Sequence, residues 1–174
     1  MATGLKEIVA KEHSRTQMLH IMEWIGDDRN KFNELVKLFM SSDPILSQRA
    51  GYPLSNIVIK NPSWIVPHLR KILAFAQQPG HHNAIRRNTM RILEHIQVPK
   101  NLQGTVLSMC FDFIADPVEK VAIKAFSLTV LEHMMDSYPE IGSEIKYIIE
   151  DQWAYQTPAF KVRAKKVLAK IKKA

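Results

Sequence analysis

The chain has 174 residues, 46% of them apolar, a single cysteine and a formal net charge of +7. That length and apolar content suit one domain, 1–174, with a continuous core. The lone Cys110 excludes an intramolecular disulfide framework, and no apolar stretch approaches the roughly 18 residues that span a bilayer.

Met1–Lys11 lacks the apolar centre of a signal peptide, so a cytoplasmic, reducing setting is expected. Within that stretch, Leu5–Val9 is all that remains for a first leading helix. Asp28–Met40 then carries Phe32, Leu35, Val36 and Phe39 at helical spacing, with Asp28 as its start signal. The next helix follows Asp43-Pro44 and meets Pro53, where a kink or short break near Gly51-Tyr52-Pro53 is expected. Ser63–Ala76 carries Ile65, Leu69, Ile72 and Leu73, with Ser63 as its start signal and Pro67 early enough to be tolerated. His81-His82 reads as a turn before an arginine-rich helix. Asn101–Ala115 carries Val106, Met109, Cys110 and Phe113. Asp116 signals the start of its partner, and Glu140–Ile149 carries Ile141, Ile145, Ile148 and Ile149.

Proline sets the punctuation. Pro44, Pro62, Pro79, Pro99, Pro117, Pro139 and Pro158 fall 17 to 22 residues apart, room for one helix and a turn, so two intervals make one two-helix unit. A block recurs once per unit: Met22–Ile25, Leu54–Ile57, Leu93–Ile96, Leu131–Met134 and Leu168–Ile171, each apolar at its first and fourth places. Four residues upstream lie Ala50, Thr89, Ser127 and Ala164, small enough for close helix approach; Met18 breaks that rule. The reading is all-α, with about five two-helix repeats stacked in a row.

Asp116–Val121, Thr157-Pro158 with Val162-Arg163, and Asp43-Pro44 with Gln48-Arg49 resemble the HEAT and armadillo class of α-solenoids. The resemblance implies an α-α superhelix along nearly the whole chain. It also implies an arginine ladder between units, for which Arg49 and Arg163 hold the arginine place while Gln17, Asn88 and Phe126 depart from it. Family resemblance of this kind speaks to fold more than to function.

Charge supplies the functional clue. Residues 1–44 sum to −1, 45–111 to +7, 112–160 to −6 and 161–174 to +7. The central basic zone offers Arg49, Arg70, Lys71, Arg86, Arg87 and Arg91, joined by Lys124, as candidates for contact with a partner or nucleic acid. The C-terminal lysines, Lys165–Lys173, suit a solvated terminal cap and complement a helix dipole. Arg86, Arg87 and Arg91 can face a ligand, or serve as ordinary surface and inter-repeat contacts.

No Gly-rich phosphate loop, Gly-x-Ser-x-Gly elbow, His-Glu-x-x-His or Cys-x-x-Cys occurs. No catalytic, cofactor or metal site is expected. Glu94-His95 and Glu132-His133 recur with the repeat and are adjacent, so they do not face each other as acid and base. His81 and His82 lack further ligands at metal spacing. Trp24, Trp64 and Trp153 sit in or beside apolar helical patterns and read as packing. The expected function is a non-catalytic scaffold whose concave face, built from the second helix of each unit, holds a protein or peptide. The alternative is a nucleic-acid-binding solenoid using the central basic zone. DNA glycosylases that resemble HEAT solenoids are a further variant, but their active-site aromatic, Asp and Arg have no assignable positions here.

Overall fold

The computed structural model describes residues 4–173; Met1–Thr3 and Ala174 lie outside the described residues. Among the described residues there are ten α-helices, short 3-10 turns and no strand. The helices form five pairs of the α-solenoid class, gathered into two compact units, one ending at Gln97 and one beginning at Val98. No helix is long and apolar enough to cross a membrane.

The first unit holds three pairs: α1 (Leu5–Lys11) with α2 (Arg15–Ile25), α3 (Arg29–Phe39) with α4 (Pro44–Lys60), and α5 (Leu69–Gln77) with α6 (Asn83–Glu94). The starts of α2, α3 and α4 are capped by side chains that take up free helix N–H groups, whereas α1 and α5 have no side-chain cap. Ser14 Oγ accepts from the Gln17 amide of α2, Asp28 from those of Asn30 and Lys31 of α3, and Asp43 from those of Ile45 and Leu46 of α4. The leading helix α1 is only seven residues long. Gly26 closes α2 at φ +50°, a backbone conformation that strains any side-chain-bearing residue.

Pro53 does not break its helix: α4 runs unbroken from Pro44 to Lys60. The proline costs one N–H bond to the carbonyl four residues back. Around it, Ala50, Gly51, Leu54, Ile57 and Val58 are all buried, and Ser55 Oγ (3.0 Å) and Asn56 Nδ2 (2.8 Å) donate to the Tyr52 carbonyl. Burial on both sides of the proline holds the helix together.

The helix expected over Ser63–Ala76 starts later, at Leu69. Two 3-10 turns, Pro62–Trp64 and Val66–His68, occupy the stretch where Pro62 and Pro67 lack N–H groups, and Ser63 makes no cap. Leu69, Ile72 and Leu73 form the core stripe as expected, joined by Ala76, and Ile65 is buried ahead of the helix.

The second unit pairs α7 (Lys100–Ala115) with α8 (Val121–Met134), and α9 (Gly142–Gln152) with α10 (Pro158–Lys173). Asp116 does not start α8. Its carboxylate accepts the Val118 amide at 2.9 Å and closes a turn, and α8 begins at Val121 with no side-chain cap. A 3-10 turn, Pro139–Ile141, likewise takes the first residues of the helix expected from Glu140.

The recurring block lies at or near the end of α2, α4, α6, α8 and α10, the second helix of each pair. Ala50, Thr89, Ser127 and Ala164 are each fully buried, which is why that place takes a small residue. Gly51 extends the demand. A methyl group there would meet Asn88 Nδ2 at 2.5 Å and the Phe39 ring at 3.1 Å, so α4 approaches α6 and α3 only because Gly51 has no side chain.

Candidate functional site

Within the first unit the second helices α2, α4 and α6 lie side by side, with α4 packed on both neighbours. On α4, beyond the first residue Pro44, the residues left at least partly exposed are Ile45, Gln48, Arg49, Tyr52, Asn56, Ile59 and Lys60. Their spacing of three and four places them in one stripe. Leu19 of α2 and Arg87 of α6 extend it, and a recess of about 320 Å³ opens between α2 and α4, lined in part by Leu19, Met22, Ile57 and Lys60. Leu19 (51%), Ile45 (55%) and Ile59 (36%) are exposed apolar side chains on that face.

The central cations do not form one patch. Arg91 of α6 reaches across to α4, donating to Ser55 Oγ at 3.3 Å and Asn56 Oδ1 at 3.4 Å, with its guanidinium 5.8 Å from the Tyr52 ring centre. Arg49 of α4 donates to the Ala10 carbonyl near the end of α1. Arg86 bonds Asn83 Oδ1 at 3.2 Å on its own helix. Arg70 and Lys71 on α5 and Arg87 on α6 are exposed.

Lys124 belongs to the second unit. It is buried at 1% exposure in α8, where its ammonium donates to Gln152 Oε1 of α9 at 2.9 Å. Gln152 Nε2 in turn donates to the Ile114 carbonyl of α7 at 2.7 Å, so one lysine and one glutamine tie three helices. Burial pulls the Lys124 ammonium below the usual lysine range, and the nearby carboxylates of Asp116 and Glu119 oppose that shift. A side chain so enclosed makes no contact from the surface.

The second unit bridges its second helices in the same lateral sense. Arg163 of α10 donates to Thr129 Oγ1 of α8, its guanidinium 6.0 Å from the Phe126 ring. Lys170 donates to the Glu132 carbonyl and pairs with Asp136, both at 2.7 Å. Lys31 of the first unit donates to the Trp24 carbonyl at 2.8 Å. Lys31, Arg49 and Lys170 thus each place a cation on a carbonyl in the last turn of a helix, where the dipole is negative. Gln17 shares the lateral role, donating to the Ile8 carbonyl of α1.

The remaining sequence candidates have structural surroundings. His82 Nδ1 accepts the Ala84 amide and caps α6, and His81 stacks 4.0 Å from Phe75. Trp24, Trp64 and Trp153 are half-buried, each beneath a cation: Lys31 at 4.3 Å, Arg29 at 5.2 Å and Lys161 at 5.5 Å. Burial pushes the Cys110 thiol far above its ordinary range, which leaves it protonated and inert. His68 bonds Asn33 Oδ1 at 2.7 Å, and desolvation, with Arg29 and Lys71 nearby, lowers its pKa.

Sequence reasoning passed over Tyr52, Ser55 and Asn56, which receive Arg91, and Gln152, which receives Lys124. For the first group the signal was present: Gly51 and Pro53 in mid-helix mark a place where something packs closely. Gln152 lies 28 residues beyond Lys124 and carries no local signal.

A protein-family model described as HEAT repeat domain matches residues 5–171. No curated protein and no solved structure matches the chain.

Proposed function

The chain belongs to the HEAT repeat family, and on that premise we propose that it is a non-catalytic binding scaffold that holds a protein or peptide partner on its second-helix face. The observation that carries this reading is the α4 stripe with its neighbours. Leu19, Ile45 and Ile59 expose apolar surface beside Tyr52, Asn56 and Arg87, the mixture of apolar anchors and hydrogen-bonding groups that protein interfaces use. Stacked second helices present such a face over a long distance. A single continuous domain and a cytoplasmic setting belong to the same proposal.

The engagement of Arg49 and Arg91 with neighbouring helices supports a protein partner over nucleic acid, because a guanidinium already bonded across helices has fewer donors left for phosphate. Arg70, Lys71 and Arg87 stay available to a polyanion. Titration with single-stranded and duplex oligonucleotides at 50 and 200 mM salt separates the two readings. The scaffold reading expects weak binding that Arg87→Ala leaves unchanged. Tight, steeply salt-dependent binding that Arg87→Ala weakens would overturn it in favour of nucleic acid.

A further inference from the structure

The outer face of α9 belongs to neither the core nor the second-helix face. Gly142, Ile145, Ile149 and Gln152 form the buried stripe of this helix. On the opposite side, at helical spacing, stand Glu144, Tyr147 and Asp151, with Glu140 in the turn before and Tyr155 in the turn after. The tyrosines are 71% and 78% exposed, more than any other large apolar or aromatic side chain among the described residues except Val118. Tyr155 Oη donates to the Asp151 carbonyl at 3.1 Å, which folds its ring back along the helix.

Among the described residues, Glu140, Glu144 and Asp151 take part in no ion pair; Lys146 on the flank pairs with Glu150 at 3.8 Å. An outward helix face is ordinarily covered by charges of mixed sign, which keep it soluble without inviting a partner. Here two aromatic faces alternate with three unneutralised carboxylates. An aromatic face attracts a cation through its quadrupole, and a carboxylate one turn away supplies the bidentate acceptor that a guanidinium prefers.

We propose that Glu140, Glu144, Tyr147, Asp151 and Tyr155 form a second docking surface, which binds an arginine- and lysine-rich segment of a partner protein. Charge complementarity selects this occupant. Tyr155 comes eight positions after Tyr147, in the turn that continues α9, a rise of about 12 Å, which an extended segment spans in roughly four residues. The protein as a whole carries +7 and repels polycations at long range, so capture of a basic segment reports the local stripe and not bulk charge. The proposal does not depend on the second-helix reading, since it uses a first helix and different residues.

The test uses the full chain and a labelled 12-residue peptide with arginine at every fourth position, separated by serine and glycine; a citrulline version serves as control. Fluorescence anisotropy at 50 and 150 mM salt reads the affinity. The peptide binds and its citrulline control does not. Tyr147→Ala combined with Tyr155→Ala weakens binding roughly five- to thirtyfold although no charge changes, while Tyr147→Phe with Tyr155→Phe retains it. Glu144→Gln with Asp151→Asn also weakens binding and flattens its salt dependence, and Arg87→Ala leaves it unchanged. These side chains are exposed, so circular dichroism and Tm stay at wild-type values. Absence of binding would overturn the proposal, as would equal affinity of the double alanine variant. Concentration-dependent dimerisation lost with the tyrosines would also overturn it, by showing that the occupant is a second copy of the chain.

Discussion

The α4–α6 contact of the first unit and the α8–α10 contact of the second both join consecutive second helices and both carry a bridging arginine, Arg91 and Arg163, but they differ in what accompanies it. Between α4 and α6 a side chain is removed: Gly51 leaves a space that buried Asn88 and Phe39 fill, and Asn88 Nδ2 also donates to the Ala84 carbonyl at 2.9 Å. Between α8 and α10 long side chains are added, with Arg163 and Lys170 reaching from α10 to Thr129, Glu132 and Asp136. Close contact of rigid, buried groups leaves no room for adjustment, whereas long surface cations can re-aim at modest cost. The same repeat is therefore brittle in one place and forgiving in another.

The largest effect should come from filling the closed contact. Gly51→Ala places a methyl group 2.5 Å from Asn88 Nδ2 and should destabilise by about 1–3 kcal/mol, despite the better helix propensity of alanine. Gly142→Ala offers a contrast in the second unit, at the α9–α10 contact within a pair. There the nearest atom is Ile171 Cγ1 at 3.3 Å, a half-buried and movable side chain, so stability should stay within about 0.5 kcal/mol. Denaturant titration of both variants breaks the comparison if their losses are equal.

Lys124 tests the interior of the second unit. Lys124→Ala removes the tie to Gln152 and leaves a void, for a loss of about 1–2 kcal/mol. Lys124→Met keeps the volume and removes the buried charge, while Gln152 Oε1 still accepts from Gln156 Nε2 at 2.7 Å. It should be neutral or stabilising. A loss in Lys124→Met as large as in Lys124→Ala would mean that the charge itself is needed. Smaller still is Asp136→Asn at the exposed end of the α8–α10 bridge, expected to cost less than about 1 kcal/mol by thermal unfolding.

Acid should single out the first unit. His68 has a folded-state pKa below its ordinary value of 6.5, so the unfolded chain binds the proton first as pH falls. The stability linked to His68 is intact above pH 6.5 and declines as pH drops from there towards the lowered folded value. His68→Gln should flatten that decline in a stability–pH profile, and a profile identical to wild type would contradict the assignment.

The pairing of helices was legible from proline spacing and from one block of residues repeated five times, because both follow directly from stacking. Local exceptions were not. Pro53 reads as a break, yet the buried residues around it and the Ser55 and Asn56 side chains outweigh one lost hydrogen bond. Ser63 and Asp116 look like helix starts, but the prolines near them favour turns. The basic zone was legible as charge and illegible as geometry: sequence places Arg49, Arg91 and Lys124 near one another in type, while their partners Ala10, Asn56 and Gln152 come from remote positions. One clue for Lys124 was available. It sits in a helix apolar on nearly every side, from Ile123 to Leu131, and such a helix is buried all round.

Arg49 and Arg91 of the basic zone serve the repeat itself, by bonds to neighbouring helices. Arg91→Ala tests this role most directly when thermal stability and oligonucleotide affinity are measured on the same sample. Loss of its bonds to Ser55 and Asn56 should lower stability by about 1–2 kcal/mol with affinity unchanged. Unchanged stability together with lost affinity would contradict the account and make Arg91 a ligand contact.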